Sequence, residues 1–289
     1  MAIFVFSTNF RLGLFIAISF ILNINSQEFR QCYEVDGIYN FHRNNSRHNI
    51  DKAITQLVSN ATNTYFNTIS TGSGLDKFNA LYSCRYDYPL QSCHSCVKSF
   101  VDVVLSCLPN VQGHSYRDEC TLYYSNRSLD LSDEMDKFRR VGLAGGRTVT
   151  SKEENKLSQT LYTTVTRLIE EVISEFNVSS RYFAMTSEKY SSSETIYALA
   201  QCNPDLTSFE CKTCLQSSFD WFTSDRTFPG VAQAKIYTPI CRLFYMFSNK
   251  ELSQPWNFAI SSTGTRGNPI MAAIVASTSS VALLLKLLL

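Results

Sequence analysis

The sequence predicts an α+β protein made of two tandem domains, each stapled by disulfides, and three observations carry that prediction. The stretch "FNALYSCRYDYPLQSCHSCV" (78–97) matches "IYALAQCNPDLTSFECKTCL" (196–215), both spaced C-x8-C-x2-C, so that Cys84, Cys93 and Cys96 each shift by 118 to Cys202, Cys211 and Cys214. A repeat of this kind sets the architecture ahead of any local feature. Each copy is preceded by an apolar stripe of helical period, and each is followed by a run of alternating aromatic residues that reads as a closing strand.

Taken in order, the chain opens with Arg11 and the apolar run "LGLFIAISFIL", followed by small Ser26. This is the order of a secretory signal peptide over residues 1–26, with the mature chain starting near Gln27 in an oxidising compartment. The first domain is expected over 28–129. Ile54, Leu57, Val58, Ala61 and Tyr65 form its helical stripe, "VKSFVDVVLSC" after the C-x-x-C is a second helix, and "CTLYYSN" from Cys120 closes it. The polar segment "LSDEMDKFRRV" joins it to a second domain over 135–251. There Leu157, Leu161, Val165, Leu168, Val172 and Phe176 form the stripe, "LQSSFDWF" the shorter helix and "CRLFYMFSN" the closing strand. Each copy is thus expected to open on a helix. "GLAGG" (142–146) does not fit a phosphate-binding G-x-G-x-x-G and reads as a linker turn.

Residues 252–268 are expected as a linker and 269–289 as a hydrophobic tail. Small residues from Ser261 to Asn268 ahead of an apolar run have the order of a lipid-anchor (GPI) signal; the alternatives are a single transmembrane span and a buried tail. Sequons at Asn44, Asn60, Asn126 and Asn177 mark candidate glycosylation sites of a secreted glycoprotein.

With 26 Lys+Arg against 25 Asp+Glu, the chain lacks the basic field that attracts nucleic acid. Zinc would need four Cys or His ligands per copy, yet His42, His48, His94 and His114 all lie in the first half. A redox dithiol would stand apart from other cysteines, and here each pair is surrounded by them. Structural disulfides are the remaining reading. The first copy has six cysteines and the second has counterparts of four. A shift of 118 puts Cys32 near Thr150 and Cys107 at Asp225, so one missing bridge, Cys32–Cys107, explains both absences. Joining Cys93 to Cys96 would make a small strained ring. Cys84–Cys93 with Cys96–Cys120, or the crossed alternative, stay open on spacing alone.

These residues resemble the plant cysteine-rich repeat family, whose repeat is also called the ginkbilobin-2-homologous domain. Its tandem copies occur in secreted proteins, plasmodesmata-located proteins and the ectodomains of cysteine-rich receptor-like kinases. The resemblance implies, per domain, a roughly five-stranded antiparallel sheet packed on two helices. It also implies the pairs Cys32–Cys107, Cys84–Cys93, Cys96–Cys120, Cys202–Cys211 and Cys214–Cys241, with the second copy's first strand tied down less firmly. Some members bind mannose through an Asn directly after the first cysteine, an Arg six before the last and a Glu five after it. Those positions here hold Tyr33, His114 and Ser125, and in the second copy Lys235 and Met246 at the last two. The groups that would bind sugar hydroxyls there are missing.

No G-x-S-x-G, H-E-x-x-H or phosphate loop occurs, and the acids Glu153, Glu154, Glu170 and Glu171 sit on helical stretches as solvated faces. The expectation is a protein that is not an enzyme and carries no cofactor or metal. It is expected to be an extracellular binding or adhesion module for a protein or cell-wall carbohydrate, in defence or cell-to-cell communication, open to homo- or hetero-oligomerisation. Its expected place is the outer face of the plasma membrane, including plasmodesmata, or the apoplast. The alternatives are a structural spacer at wall–membrane junctions and a mannose-type antifungal lectin. Tyr123, Tyr124, Phe244 and Tyr245 are candidate contact residues, with about half expected in the core.

Overall fold

The computed structural model describes residues 29–33, 44–127, 140–179, 181–224, 230–252 and 262–266. The expected signal peptide and apolar tail lie outside them. Each copy is one antiparallel sheet with two helices on one face. In the first copy the strands are β1 (Phe29–Tyr33), β2 (Phe66–Thr71), β3 (Phe78–Cys84), β4 (Gln112–Tyr116) and β5 (Cys120–Ser125), ordered β1-β4-β5-β3-β2. Its helices are α1 (Asn44–Asn60) and α2 (Leu90–Cys107). The second copy repeats the order with β6 (Val141–Thr148), β7 (Phe183–Lys189), β8 (Thr195–Cys202), β9 (Val231–Tyr237) and β10 (Cys241–Ser248), as β6-β9-β10-β8-β7, and with α3 (Ser151–Ser179) and α4 (Ser208–Ser224).

Three expectations are corrected. Each copy opens on a strand, not a helix, and in the second copy that strand is β6, which contains "GLAGG". Glycines serve there because the strand is overlaid closely: a Cβ on Gly142 would lie 2.9 Å from the Phe222 ring. Gly146, at φ 77°, sits where the β6–β9 register slips between Gly145 and Thr148, a bulge that a side chain would strain. The expected linker 252–268 contributes a strand, β11 (Ser262–Arg266), antiparallel to β6 at the edge of the second sheet. Finally, the C-x-x-C pairs lie within α2 and α4, which were expected to begin only after them. The helices start before the cysteines, at Leu90 behind Pro89 and at Ser208 behind Thr207. Thr207 and Glu210 form a capping box, with Glu210 Oε2 accepting from both the Thr207 amide and hydroxyl at 2.7 Å.

That placement shows what the spacing is for. Cysteines three apart share one helix face. Cys84 and Cys120 stand opposite each other at the ends of β3 and β5, as Cys202 and Cys241 do on β8 and β10. The helix lies over this pair of strand ends, so one helical cysteine reaches back to the first strand and the other forward to the second. The disulfides are Cys84–Cys93, Cys96–Cys120, Cys202–Cys211 and Cys214–Cys241, with Cys32–Cys107 holding β1 to the end of α2.

Alternation along the strands sorts the rest. In β3 and β5, Phe78, Ala80, Tyr82, Leu122 and Tyr124 face the helices and join Ile50, Leu57, Phe100 and Val104 in one core. In β8 and β10, Ile196, Ala198, Leu243 and Tyr245 do the same beneath Leu161, Val165, Leu168 and Phe219. Yet β3 and β5 are buried at every residue. An antiparallel sheet with helices on one face normally exposes the other. Here the second face of each sheet is covered by the other domain.

Candidate functional site

The intervening positions of the strands build a buried interface between the two copies. Phe29 and Tyr116 from the first domain pack with Val141, Leu143, Tyr197, Leu199, Tyr237 and Phe244 from the second. Counterpart residues meet across it. Tyr116 stacks on Tyr237 at 5.2 Å between centroids, 8° from parallel. Thr121 Oγ1 accepts from Arg242 Nη2 at 3.3 Å, and Gln201 Nε2 lies 3.5 Å from Ser83 Oγ. Each pair occupies equivalent places in the repeat, so the chain is an internal, approximately two-fold dimer of its own copies.

The polar groups break that symmetry and make the two faces complementary. The side-chain donors come mainly from the second domain and the acceptors from the first; in the reverse direction the Tyr86 amide donates to Gln201 Oε1 at 3.3 Å. Lys235 Nζ lies 2.5 and 2.7 Å from the Asp118 carboxylate oxygens, and the Tyr237 hydroxyl donates to the same carboxylate at 3.0 Å. Arg242 Nη2 donates to the Ser83 carbonyl and Gln201 Nε2 to the Cys84 carbonyl, both at 2.7 Å. Two first-domain copies facing each other would lack these donors, and two second-domain copies would oppose Lys235 and Arg242. The pairing of unlike copies is therefore selected by charge as well as shape.

Burial shifts the groups in this interface. Desolvation lowers Lys235, a shift opposed by the Asp118 carboxylate, and drives the fully buried Arg242 down to about 10. It raises Tyr237 well above the ordinary tyrosine value, with Asp118 adding to the effect. The first domain's own cation, Arg85, is held by Asp87 at 2.6 and 2.9 Å and lies over the rings of Tyr88 and Phe244.

The residues singled out in the sequence fall as follows. Tyr33 and His114 come together, the Tyr33 hydroxyl 2.9 Å from His114 Nδ1, but inside the packing: His114 is fully buried and stacks on Tyr116 at 4.5 Å. Lys235, its counterpart, is spent on Asp118, and Ser125 is buried. At the mannose-type positions, His114, Ser125 and Lys235 are therefore buried within this chain's own packing and do not line an open sugar site. Tyr123, Tyr124, Phe244 and Tyr245 are all buried, Tyr124 and Tyr245 under helices and Phe244 between the domains, so none is a surface contact. Of the sequons, Asn60 donates from Nδ2 to Asn67 Oδ1, Asn126 is half-buried just after β5, and Asn44 and Asn177 lie in α1 and α3. The acids Glu170 and Glu171 pair on the helix surface with Lys212 and Arg167. Among the described residues no cysteine is free, no cluster of metal-ligating groups occurs, and no helix is long and apolar enough to cross a membrane.

Strand register also replaces one sequence correspondence. Cys32 stands opposite Gly113, and Ala144 opposite Ala234, at equivalent places on β1–β4 and β6–β9. The counterpart of Cys32 is thus Ala144, not the neighbourhood of Thr150, because the copies differ in length ahead of the helix. What sequence reasoning missed is the interface itself. Its signal was present in Lys235 and Arg242, cations placed inside otherwise apolar strand patterns.

Comparison with known proteins agrees with this architecture. The chain is 31% identical over 183 residues to cysteine-rich receptor-like protein kinase 10 of Arabidopsis thaliana, covering 63% of this chain and 26% of that one. It is 29% identical over 208 residues to cysteine-rich repeat secretory protein 9 of the same plant, covering 69% of this chain and 60% of that one. It therefore spans from about a quarter to three fifths of these relatives. The crystal structure of the tandem DUF26 ectodomain of the Arabidopsis cysteine-rich receptor-like protein PDLP8 superposes with TM-score 0.58 at 19% identity, over 76% of this chain and 97% of that one. The PDLP5 ectodomain gives 0.53 at 17% identity, over 75% and 97%. The family model for salt stress response/antifungal (Stress-antifung) domains matches residues 31–127 and 147–248, one match per copy, and the chain belongs to that family as a tandem of two DUF26 repeats.

Proposed function

We propose that this chain is a non-catalytic extracellular recognition module, presenting two locked domains to a protein or a cell-wall glycan. The observation that carries the reading is the buried, charge-complementary interface. It fixes the relative orientation of the copies, so that their outward surfaces form one preorganised body, and preorganisation lowers the entropic cost of binding. Full oxidation of the cysteines fits the secretory route, and the relatives named as a secretory protein and as receptor-like proteins support an extracellular setting. In this reading the apolar tail holds the module at the outer face of the plasma membrane, plasmodesmata included, by a lipid anchor or a span. A form released to the apoplast is the alternative.

The test is a glycan array run beside a secreted-ectodomain interaction screen, using the chain expressed through the secretory route. Binding in either supports recognition. A blank in both favours a structural spacer at wall–membrane junctions. Release from membranes by phospholipase C would identify the lipid anchor, and retention would favour the span.

A further inference from the structure

The two copies differ in chemistry at one outward-facing place. Where the start of α2 passes the turn between β4 and β5, the first domain has an open cleft of about 350 Å³, lined by Tyr88, Gln91, Ser92, Ser95, Arg117 and Glu119 over the buried Cys96. Gln91 and Ser95 are exposed at its rim, and the other four are half-buried. The equivalent residues of the second copy are Leu206, Phe209, Glu210, Thr213, Thr238 and Ile240. There Leu206 packs on the core, Ile240 is buried, Glu210 is turned back on Thr207 as a helix cap, and the Thr238 hydroxyl is committed to the Cys241 strand end. The second copy thus offers apolar or internally committed groups at this place, with Phe209 largely exposed at the position of Gln91. The first replaces them with polar groups, has no side-chain cap at Pro89, and leaves the space open.

We infer that this cleft is a binding site for a single neutral sugar ring within a larger glycan, an inference that rests on the recognition reading above. The lining supplies a carboxylate acceptor, a guanidinium donor, an amide and two aliphatic hydroxyls. The two charged groups offset each other, so the cleft suits a ligand that both donates and accepts at every position and carries no net charge. Sugar hydroxyls do this, and a carboxylate, an amide and a guanidinium can each engage two neighbouring hydroxyls at once. The Tyr88 hydroxyl adds a neutral donor, since burial, with Glu119 and Asp118 nearby, raises its pKa against a weaker opposing effect of Arg85. The volume lies at the lower end for small-molecule sites, which suits one ring. The site is separate from the Tyr33 and His114 positions, where a half-buried tyrosine meets a fully buried histidine.

The test uses the full chain with hexasaccharides of β-glucan, xylan and mannan, and with oligogalacturonate as the charged comparison, read by saturation-transfer NMR and calorimetry. Three variants are compared: Ser95→Trp, which fills the cleft from an exposed position, Gln91→Ala, and Glu119→Gln. The expected result is binding of at least one neutral hexasaccharide, weakened at least tenfold by Ser95→Trp and severalfold by the other two, with an unchanged melting temperature. Neutral-glycan binding that Ser95→Trp leaves intact would overturn the cleft while keeping glycan recognition. Binding of oligogalacturonate alone would overturn the neutral class. Absence of any glycan binding beside a protein hit in the interaction screen would overturn the inference and leave the recognition reading standing, whereas blanks in both would remove both.

Discussion

A lysine 2% exposed and a carboxylate 18% exposed form the central ion pair of this molecule, and the difference between them sets what substitution does. Removing one partner of a buried pair is costly because the other charge is left without compensation. In Asp118→Asn the abandoned charge is Lys235, which has no water to turn to. In Lys235→Met the abandoned charge is Asp118, which keeps the Tyr237 hydroxyl and some solvent. Asp118→Asn is expected to cost roughly 3 kcal/mol and Lys235→Met clearly less, as read from denaturant midpoints at neutral pH. Equal costs would show that the pair is more hydrated than this geometry implies. Alkaline pH offers a second check. Burial raises Tyr82, Tyr86, Tyr88, Tyr124, Tyr237 and Tyr245. The unfolded chain ionises these six near pH 10 and the folded chain only at higher pH, so this stability is present below about pH 10 and lost as pH rises above it. Lys235 and Arg242, both lowered, act with the opposite sign, two groups against six. The denaturation midpoint should fall between about pH 9 and pH 11.5, with ionisation of these six tyrosines tracking unfolding rather than preceding it.

The first strand of each sheet is an element that the two copies secure by different means. Strand β1 is bolted to α2 by Cys32–Cys107, across a separation of 75 residues. Strand β6 has Ala144 at that place and is held by β9 on one side, by β11 on the other, and by Arg140, whose guanidinium bonds the Ser217 carbonyl and hydroxyl at 2.9 and 3.0 Å. The Cys32→Ala/Cys107→Ala pair should lower stability by about 2–5 kcal/mol, with proteolysis concentrated near β1. Gly142→Val should cost about 1–3 kcal/mol by pressing a side chain into Phe222, a change that thermal unfolding would detect. A neutral result at Gly142 would mean that α4 can move away from β6. Both strands were hard to read beforehand. Strand β1 is only five residues long, and the glycines that let β6 run beneath Phe222 are the same residues that suggest a turn when no overlying helix is known. The helices were legible because Leu157, Leu161, Val165, Leu168 and Val172 carry a period that survives any context.

At the scale of the whole molecule, the two cores are joined by a third, and unfolding should reflect that. The intact chain is expected to unfold in one transition. Arg242→Ala combined with Gln201→Ala removes the donors to the Ser83 and Cys84 carbonyls and leaves those acceptors buried. This variant should separate the calorimetric transition into two and raise the radius of gyration in solution scattering, while all five disulfides persist. A single transition and an unchanged radius would show that the apolar contacts around Tyr116, Tyr237 and Phe244 suffice for docking.

By itself the sequence determined the duplication, the oxidising compartment expected from its cysteines, the helices and the closing strands, since each of these is a local or periodic signal that repeats at a shift of 118. The missing Cys32–Cys107 counterpart was also visible there, as two absences explained by one bridge. Only the tertiary structure decided which face of each sheet is outside. A strand alternation states that two sides differ and cannot say whether the second side meets water or another domain. His114, Lys235, Tyr123 and Phe244, which as residues in a row could have met a ligand, are taken up in binding the protein to itself. The face of each sheet that does not meet the other domain is the one its own two helices cover.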